Sequence, residues 1–281
     1  MNKRLVVISV VGVASIACAG AAVHRIEASA SAAPAPVNVA NPPPPAATDP
    51  SAVPVLVELF TSEGCSSCPP ADAVLARLER SQGVAGARVV PLGLHVDYWD
   101  RLGWTDPFST ASATDRQRSY SSLGSGSYTP QAVIDGRAET IGSRRGAVEL
   151  LVAEAAKRPH ASIAIDVAPR SDAAQPFEIT LRIGALPAGS ASDAEAIVAL
   201  TQNAVKVPVL RGENSGSTLE HTAIARELVV AGVAPMPGGA LRASLKAPAK
   251  VEAKDLRIVA FVQERSTRRV IGTSTRDLAG P

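Results

Sequence analysis

The spacing of apolar and polar residues divides the chain into two parts. In the first part, VPVLVELF predicts a strand buried on both faces, and ADAVLARLERSQG carries apolar residues at helical spacing. ARVVPLGLHVDYW predicts a second strand, TASATDRQRSYSSLG a polar helix, and PQAVIDGRAETIG a strand, a turn at Asp135–Gly136 and a return. SRRGAVELLVAEAAKR predicts a helix that ends before Pro159. Strands that alternate with helices indicate an α/β layer with some parallel pairing.

After residue 160 the pattern changes to short stretches in which apolar and polar residues alternate. ASIAIDVA, FEITLRIG and LRIVAFVQER are examples, and Gly, Pro, Ser and Asp separate such stretches. This pattern is typical of an antiparallel sheet or sandwich. We therefore predict an α/β domain over residues 54–158 and an all-β, sandwich-like domain over residues 159–281.

The N-terminal region has the composition of an export signal followed by a spacer. Lys3 and Arg4 precede the apolar run LVVISVVGVASIACAGAA, so residues 1–30 are predicted to be a signal peptide or a membrane anchor. Cys18 leaves lipidation as an alternative. Residues 31–53 are rich in Pro and Ala, which favours an extended linker or plain disorder. These features predict a periplasmic or secreted protein, with a membrane tether through the N-terminus if the leader is retained.

The near balance of positive and negative residues argues against partners that bind strongly basic proteins. The sequence has 28 Lys and Arg residues against 26 Asp and Glu residues, which leaves a formal net charge of +2. A protein that binds nucleic acid or an anionic surface through its overall charge is more basic than this. Nucleic acid is therefore not expected as a partner.

Cys65 and Cys68 stand between the first predicted strand and the helix that follows it. The chain has three cysteines, and with Cys18 assigned to the leader only this pair remains, too few for a multi-disulfide framework. A disulfide between such close residues closes a small loop and adds little entropic stability. Near a helix N-terminus, unpaired N–H groups stabilise a Cys65 thiolate, and Cys68 lies close enough to form a disulfide with it. The pair is therefore expected to serve chemistry.

Two further segments supply candidate site residues. In SYTPQAVIDG, Thr129 and Pro130 enter a Val/Ile-rich strand, and the segment resembles the loop that faces the cysteines in thioredoxin folds, where the proline is cis. Glu58 lies in the first strand, whose alternation favours a carboxylate that points toward the helix carrying Cys68. A buried carboxylate has a raised pKa and can take the proton that the resolving thiol loses. The alternative is a solvent-facing or ion-paired Glu58 on a sheet edge.

The linked motifs resemble one family. VELFTSEGCSSCPPAD, HVDYWDRLGWTDPF, RQRSY, YTPQAVIDG and GENSG are similar to the mostly exported bacterial family called domain of unknown function 1223, which is placed in the thioredoxin-like superfamily. The resemblance covers residues 54 to about 265 and implies a thioredoxin-like fold, but no activity. The chain departs from a minimal thioredoxin in its Ser-Ser dipeptide, in the absence of a tryptophan before Cys65, and in a long insertion before the Pro130 loop.

The residues that end the second predicted strand could bind a ligand or only pack. His95 and the aromatic and acidic residues after it lie where open α/β sheets bind ligands. Packing of Tyr98 and Trp99 over the core is the favoured account. Cys65, Cys68 and His95 together could hold copper or zinc, but a structural zinc site needs a fourth ligand.

A second loop offers groups that could reach the site from the other half of the chain. In LRGENSGSTLEH, Glu213 and His221 could reach a partner or the thioredoxin-like domain. The formation of turns alone explains the Gly and Asn residues of this segment.

We therefore predict an extracytoplasmic thiol–disulfide oxidoreductase that acts on protein or small-thiol disulfides, with an unidentified redox partner and no cofactor. Cys65 forms a mixed disulfide and Cys68 resolves it, while Thr129 and Pro130 position the substrate and Glu58 moves a proton. This hypothesis requires that Cys65 be open to solvent and close to Pro130. Two alternatives stay open: a copper-handling or chaperone module that uses the same thiols, and a binding protein whose disulfide is structural.

Overall fold

The fold is described by a computed structural model that covers residues 51–172 and 174–278. The predicted leader, residues 1–30, and all but the end of the predicted linker, residues 31–53, lie outside the described residues. In chain order the elements are β1 (Val53–Thr61), α1 (Pro69–Ser81), β2 (Ala87–His95), α2 (Ala111–Arg118), β3 (Gln131–Ile134), β4 (Ala138–Ile141), α3 (Arg145–Ala156), β5 (Ile163–Val167), β6 (Phe177–Ile183), β7 (Ala194–Gln202), β8 (Val205–Pro208), β9 (Thr218–His221), β10 (Ile224–Val233), β11 (Gly239–Leu245), β12 (Leu256–Glu264) and β13 (Val270–Asp277).

Short 3₁₀ helices complete the described secondary structure. They span Asp97–Leu102, Ser121–Leu123 and Ala253–Asp255. None of the helices in the described part of the chain has the length and hydropathy needed to cross a lipid bilayer.

One mixed sheet runs through both parts of the chain. Its eight strands lie in the order β13-β12-β7-β10-β2-β1-β3-β4. β1 and β2 are parallel over nine residue pairs, and β3 returns antiparallel to β1. The predicted α/β class is therefore confirmed, with strands from both parts in the same sheet.

The two parts of the sheet meet where β10 pairs with β2. Ile224 is in register with Gly93, and the Gly93 N–H donates to the Ala223 carbonyl at 2.8 Å. A Cβ at position 93 would lie 3.2 Å from the Thr222 carbonyl oxygen, so glycine permits this close approach. The expected boundary near Arg158–Pro159 falls between α3 and β5, but the sheet continues across it.

Beyond α3, the described residues form strands and one 3₁₀ helix. β11, β6 and β5 make a three-stranded antiparallel sheet, and β8 and β9 make a two-stranded one. The buried residues of β5 and β6 share one apolar core with those of β7 and β12. The two layers thus bury one face of each sheet, as the alternating pattern requires.

The two faces of β1 serve different cores, because successive side chains point to opposite sides of a strand. Val57 and Leu59 pack with the apolar faces of α1 and α3. Leu56 and Phe60 lie on the other face, in a core that includes Phe261 of β12. Each such fully buried side chain contributes about 1.5–3 kcal/mol through removal from water.

Candidate functional site

The cysteines lie in the connection from β1 to α1 and are joined by a disulfide. The Cα atoms of Cys65 and Cys68 are 5.4 Å apart. Cys68 is the N-cap of α1, and its carbonyl accepts from Ala71 N–H at 2.8 Å. Pro69 and Pro70 fit the first turn because N–H groups there have no helical partner to lose. The helix therefore begins at the second cysteine, and Cys65 sits in the turn that leads into it.

The Thr129–Pro130 loop lies against the disulfide, as the sequence predicts. The Thr129 hydroxyl donates to Cys65 Sγ at 3.3 Å, and the Thr129–Pro130 peptide bond is cis. Trp99 Nε1 donates to the same hydroxyl oxygen at 2.8 Å. Trp99 thereby directs the hydroxyl proton of Thr129 toward the sulfur, a role that packing alone does not describe.

The structure does not bring Glu58 to the cysteines, and the expectation that its carboxylate points toward α1 is wrong. Glu58 lies on the same face of β1 as Leu56 and Phe60, opposite the face that packs on α1. Its carboxylate is fully buried and accepts from Arg116 Nε and from the Tyr120 hydroxyl, each at 2.5 Å. It is ion-paired, but in the interior of the sheet and not at an edge.

A different carboxylate lies one helical turn after Cys68. Asp72 is four residues along α1, and residues at that spacing share one face of a helix. Burial raises the pKa of Asp72 to about 7, although nearby His221 and the hydrogen bond from Thr61 lower it. The Thr61 hydroxyl donates to Asp72 Oδ2 at 3.3 Å. Asp72 is thus a buried acid that changes protonation near neutral pH.

Buried polar atoms surround Asp72 on the side of the second half of the chain. His221 Nδ1 lies 3.9 Å from Asp72 Oδ2, and His221 Nε2 lies 3.4 Å from Glu63 Oε1. Within the described residues, neither His221 nitrogen nor Glu63 Oε1 has a hydrogen-bond partner. The other oxygen of Glu63 accepts from Trp104 Nε1 at 2.7 Å. His221 is thus flanked by the carboxylates of Asp72 and Glu63 inside the protein.

His95 belongs to the same neighbourhood but is held by another acid. Its Nδ1 lies 2.6 Å from Asp106 Oδ2, which also accepts from the Glu63 N–H at 2.8 Å. Burial raises the pKa of Asp106, but the hydrogen bond and charge of His95 and the N–H donors outweigh it, so the pKa lies below its usual value. The rings of His95 and His221 meet edge to face at 4.9 Å.

The metal set considered from the sequence, Cys65, Cys68 and His95, does not form a group of ligands here. The two sulfurs are bonded to each other, and His95 Nδ1 is engaged by Asp106. In the part of the chain that the structure describes, no three His, Cys, Asp or Glu side chains are grouped so as to hold a metal ion.

The disulfide is buried, and a loop from the second half of the chain contacts the backbone beside it. Cys65 and Cys68 are each 0 % exposed, so the open Cys65 that the redox hypothesis requires is absent from this conformation. Ser66 N–H donates to Glu213 Oε2 at 3.0 Å, and Asn214 Nδ2 donates to the Cys65 carbonyl at 3.1 Å. The sequence allowed two accounts of this loop: turn formation alone, or contact with a partner or with the first part of the chain. In the structure the loop contacts the cysteine motif.

One protein-family model matches most of the chain. The family described as "Protein of unknown function (DUF1223)" matches residues 56–263. The chain belongs to this family. Among curated proteins, none matches the sequence significantly.

Solved structures resemble this member of the DUF1223 family over most of its length. A crystal structure of an Agrobacterium tumefaciens protein has a TM-score of 0.61 and 27 % sequence identity, and the match covers 82 % of this chain and 95 % of that one. HBP35 of Porphyromonas gingivalis has a TM-score of 0.59 at 14 % identity, over 81 % of this chain and 76 % of that one. The second likeness concerns the fold alone.

The sequence did not predict the contribution of three residues to the site. Asp72 had a usable signal, since an acid four residues after Cys68 on a helix shares its face. Trp99 was read as packing because nothing in the chain places its indole near Thr129. Asn214 had no local signal, because it reaches the cysteines from a position 149 residues further along the chain.

Proposed function

We propose that this protein is an extracytoplasmic thiol–disulfide oxidoreductase of thioredoxin-like type, with Cys65 and Cys68 as its redox couple. The observation that carries the proposal is the 3.3 Å hydrogen bond from Thr129 to Cys65 Sγ, which sets the Thr-Pro loop against the cysteine motif. A donor aimed at the sulfur stabilises a thiolate, and the thiolate is the reactive form of cysteine.

The reaction proceeds by two exchanges that conserve electrons. In the reducing direction, the Cys65 thiolate attacks one sulfur of a substrate disulfide, the substrate S–S bond breaks, and the second substrate sulfur leaves as a thiol after it takes a proton. The Cys68 thiolate then attacks Cys65 Sγ, which releases the first substrate sulfur and forms the Cys65–Cys68 disulfide. Two electrons pass to the substrate, and a dithiol partner restores the protein. In the oxidising direction the same steps run in reverse.

Asp72 replaces Glu58 as the group that accepts the proton of the resolving thiol. Its place one turn after Cys68, its burial and its pKa of about 7 support this role, because a base works best when its pKa is near the ambient pH. His221 lies beside Asp72 and Glu63 lies beside His221, so these side chains provide a route for the proton away from Asp72. Pro130, with Thr129, forms the surface on which the substrate chain lies.

The leader and the disulfide together support an extracytoplasmic compartment. Export would place the protein in the periplasm or outside the cell, where disulfides persist, whereas the reducing cytosol keeps thiols reduced. The apolar run after Lys3 and Arg4 supports export, with the linker at residues 31–53 as a spacer from the membrane if the leader stays attached.

The test is a redox titration combined with turnover. We expect a Cys65–Cys68 potential above about −300 mV, in the range of enzymatic couples, and catalysis of insulin reduction by dithiothreitol. Cys65→Ser and Cys68→Ser should each abolish turnover. A lower potential together with no turnover would contradict the proposal.

One observation favours a second candidate, a binding protein with a structural disulfide. Both sulfurs are fully buried, as in inert disulfides. The titration above separates the two functions, because a structural bridge resists reduction by the glutathione pool.

A further inference from the structure

The loop between β8 and β9, residues 209–217, forms a preorganised unit that we name the cap loop. Its neck is closed by two backbone hydrogen bonds, from Val209 N–H to the Ser217 carbonyl and from Gly216 N–H to the Val209 carbonyl, both at 2.9 Å. Val209 is buried and anchors the neck, while the tip is exposed on its outer side. The loop is therefore held in shape at its neck by its own backbone hydrogen bonds.

The cap loop binds both polar ends of one peptide unit in the cysteine motif. The N–H of Ser66 donates to Glu213 Oε2, and the carbonyl of Cys65 accepts from Asn214 Nδ2. These two groups belong to the same peptide bond, which joins Cys65 to Ser66. Asn214 Nδ2 also donates to the Glu63 carbonyl at 2.8 Å. Both polar groups of the peptide beside the sulfur are thus hydrogen-bonded to the cap loop, and the Cys65 carbonyl also accepts from the Cys68 N–H at 3.1 Å.

The cap loop brings a carboxylate to the cysteine motif through the N–H of Ser66. The hydroxyl and the N–H of Ser66 hold the pKa of Glu213 below its usual value, so its carboxylate is charged at neutral pH. A negative charge next to a thiol disfavours the thiolate. The same carboxylate also occupies a backbone N–H next to Cys65 that would otherwise be free to stabilise an anion there.

We propose that the cap loop is a closed gate over the Cys65–Cys68 disulfide, latched by Glu213 and Asn214, and that it must open before any thiol or disulfide reaches the sulfurs. As a regulatory device this rests on the proposed redox function. The gating itself is measurable without turnover. Opening frees the Ser66 N–H for a substrate and removes the Glu213 carboxylate from the cysteine motif in one movement.

The experiment measures how fast dithiothreitol reduces the oxidised protein. A thiolate of the reagent attacks one protein sulfur, its second thiol closes a ring disulfide, and two protein thiols appear that a thiol-specific dye counts. We expect Glu213→Gln and Asn214→Ala to accelerate this reduction at least tenfold over the unchanged protein. Glu220→Gln is the matched control, since Glu220 is an exposed acid of the same hairpin that pairs with Lys206. It should react at the unchanged rate.

Circular dichroism and the melting temperature establish that each variant is folded, and Glu213→Gln keeps the size of the side chain. Equal reduction rates in all four proteins would overturn the gate, even if insulin turnover is found. Faster reduction of the two latch variants with no insulin turnover in any protein would support the gate and overturn the proposed redox enzyme. The two proposals therefore fail separately.

Discussion

At the scale of single residues, two buried carboxylates near the cysteine motif have opposite surroundings. Glu58 accepts from a guanidinium and a hydroxyl, so its charge is balanced. Asp72 accepts a hydrogen bond from one hydroxyl and has His221 Nδ1 at 3.9 Å, so little in the protein compensates the burial of its charge. A carboxyl group that is buried with little compensation holds its proton to higher pH. Proton chemistry at the site is therefore expected of Asp72.

Asp72→Asn should change how stability depends on pH. The folded-state pKa of Asp72, about 7, lies above its ordinary value of 3.8, so the folded state binds more protons between these values. Asp72 therefore favours folding least above pH 7, and its contribution falls as pH rises through this window. We expect Asp72→Asn to flatten the fall in the free energy of unfolding between about pH 4 and pH 7, by about a few kcal/mol at most.

The measurement is thermal unfolding of both proteins across that pH range. Asp166→Asn, at an exposed carboxylate of β5, is the control and should leave the pH profile of the parent. Parallel profiles for the parent and Asp72→Asn would contradict the assignment. The same variant should also remove the rise in insulin turnover near pH 7 if Asp72 accepts a proton from Cys68.

Thr129 should set the acidity of Cys65. Thr129→Val removes the hydroxyl donor at nearly constant shape, and the loss of one hydrogen bond to a thiolate raises its pKa by about one unit. Trp99→Phe keeps the hydroxyl but removes the group that orients it, so a smaller rise is expected. The thiolate absorbance of the reduced protein, followed against pH, gives both values. A Cys65 pKa that is identical in all three proteins would show that the hydroxyl does not act on the sulfur.

At the scale of elements, a buried polar network ties α2 to the middle of the sheet. Arg116 of α2 donates to Glu58 of β1, to Gln263 of β12 and to the Tyr120 hydroxyl. Gln263 also donates to that hydroxyl at 2.9 Å. The network joins the first and second halves of the chain through groups that are all hydrogen-bonded, and its members are costly to remove one at a time.

Arg116→Met should destabilise the fold strongly and leave the redox couple unchanged. It leaves the Glu58 carboxylate buried without a cation, which costs about 3–5 kcal/mol. Urea unfolding measures this loss, and Arg118→Met, on an exposed face of the same helix, is the control. The Cys65–Cys68 potential should stay the same, because Glu58 lies on the face of β1 opposite to α1. A shift of the potential without a loss of stability would restore the role first predicted for Glu58.

At the scale of the whole molecule, the continuous sheet couples the two halves. The face of β1 that carries Leu56 and Phe60 is covered in part by residues of β7 and β12, and β2 has β10 as its second neighbour. Residues 54–158 alone would expose that face and an open strand edge to water. We therefore expect one cooperative unfolding transition and not two.

Scanning calorimetry of the full chain tests this. Gly93→Ala should lower the whole transition, because the new Cβ would press on the Thr222 carbonyl at the joint between β2 and β10. Gly146→Ala on α3, where a Cβ meets open space, is the control. Two separate transitions, of which only one moves in Gly93→Ala, would favour the two domains predicted from the sequence.

The sequence by itself determined the local order of the site. An apolar run, two cysteines, two prolines and a helical pattern specify strand, turn and helix, because each depends on residues close together in the chain. The same holds for the Asp135–Gly136 turn between β3 and β4. The motifs around Cys65 and Pro130 were enough to identify the family. The resemblance to that family predicted that Thr129 lies close to Cys65.

Only the tertiary structure decided which groups surround the sulfurs. Alternation gives β1 two faces, but the side on which α1 packs decides that Glu58 points away from Cys68. Ser66 and Glu213 are 147 positions apart, and Asp72 meets His221 only once β9 lies beside α1. Such contacts depend on how distant segments share one folded core. No pattern within a short window of sequence can report them.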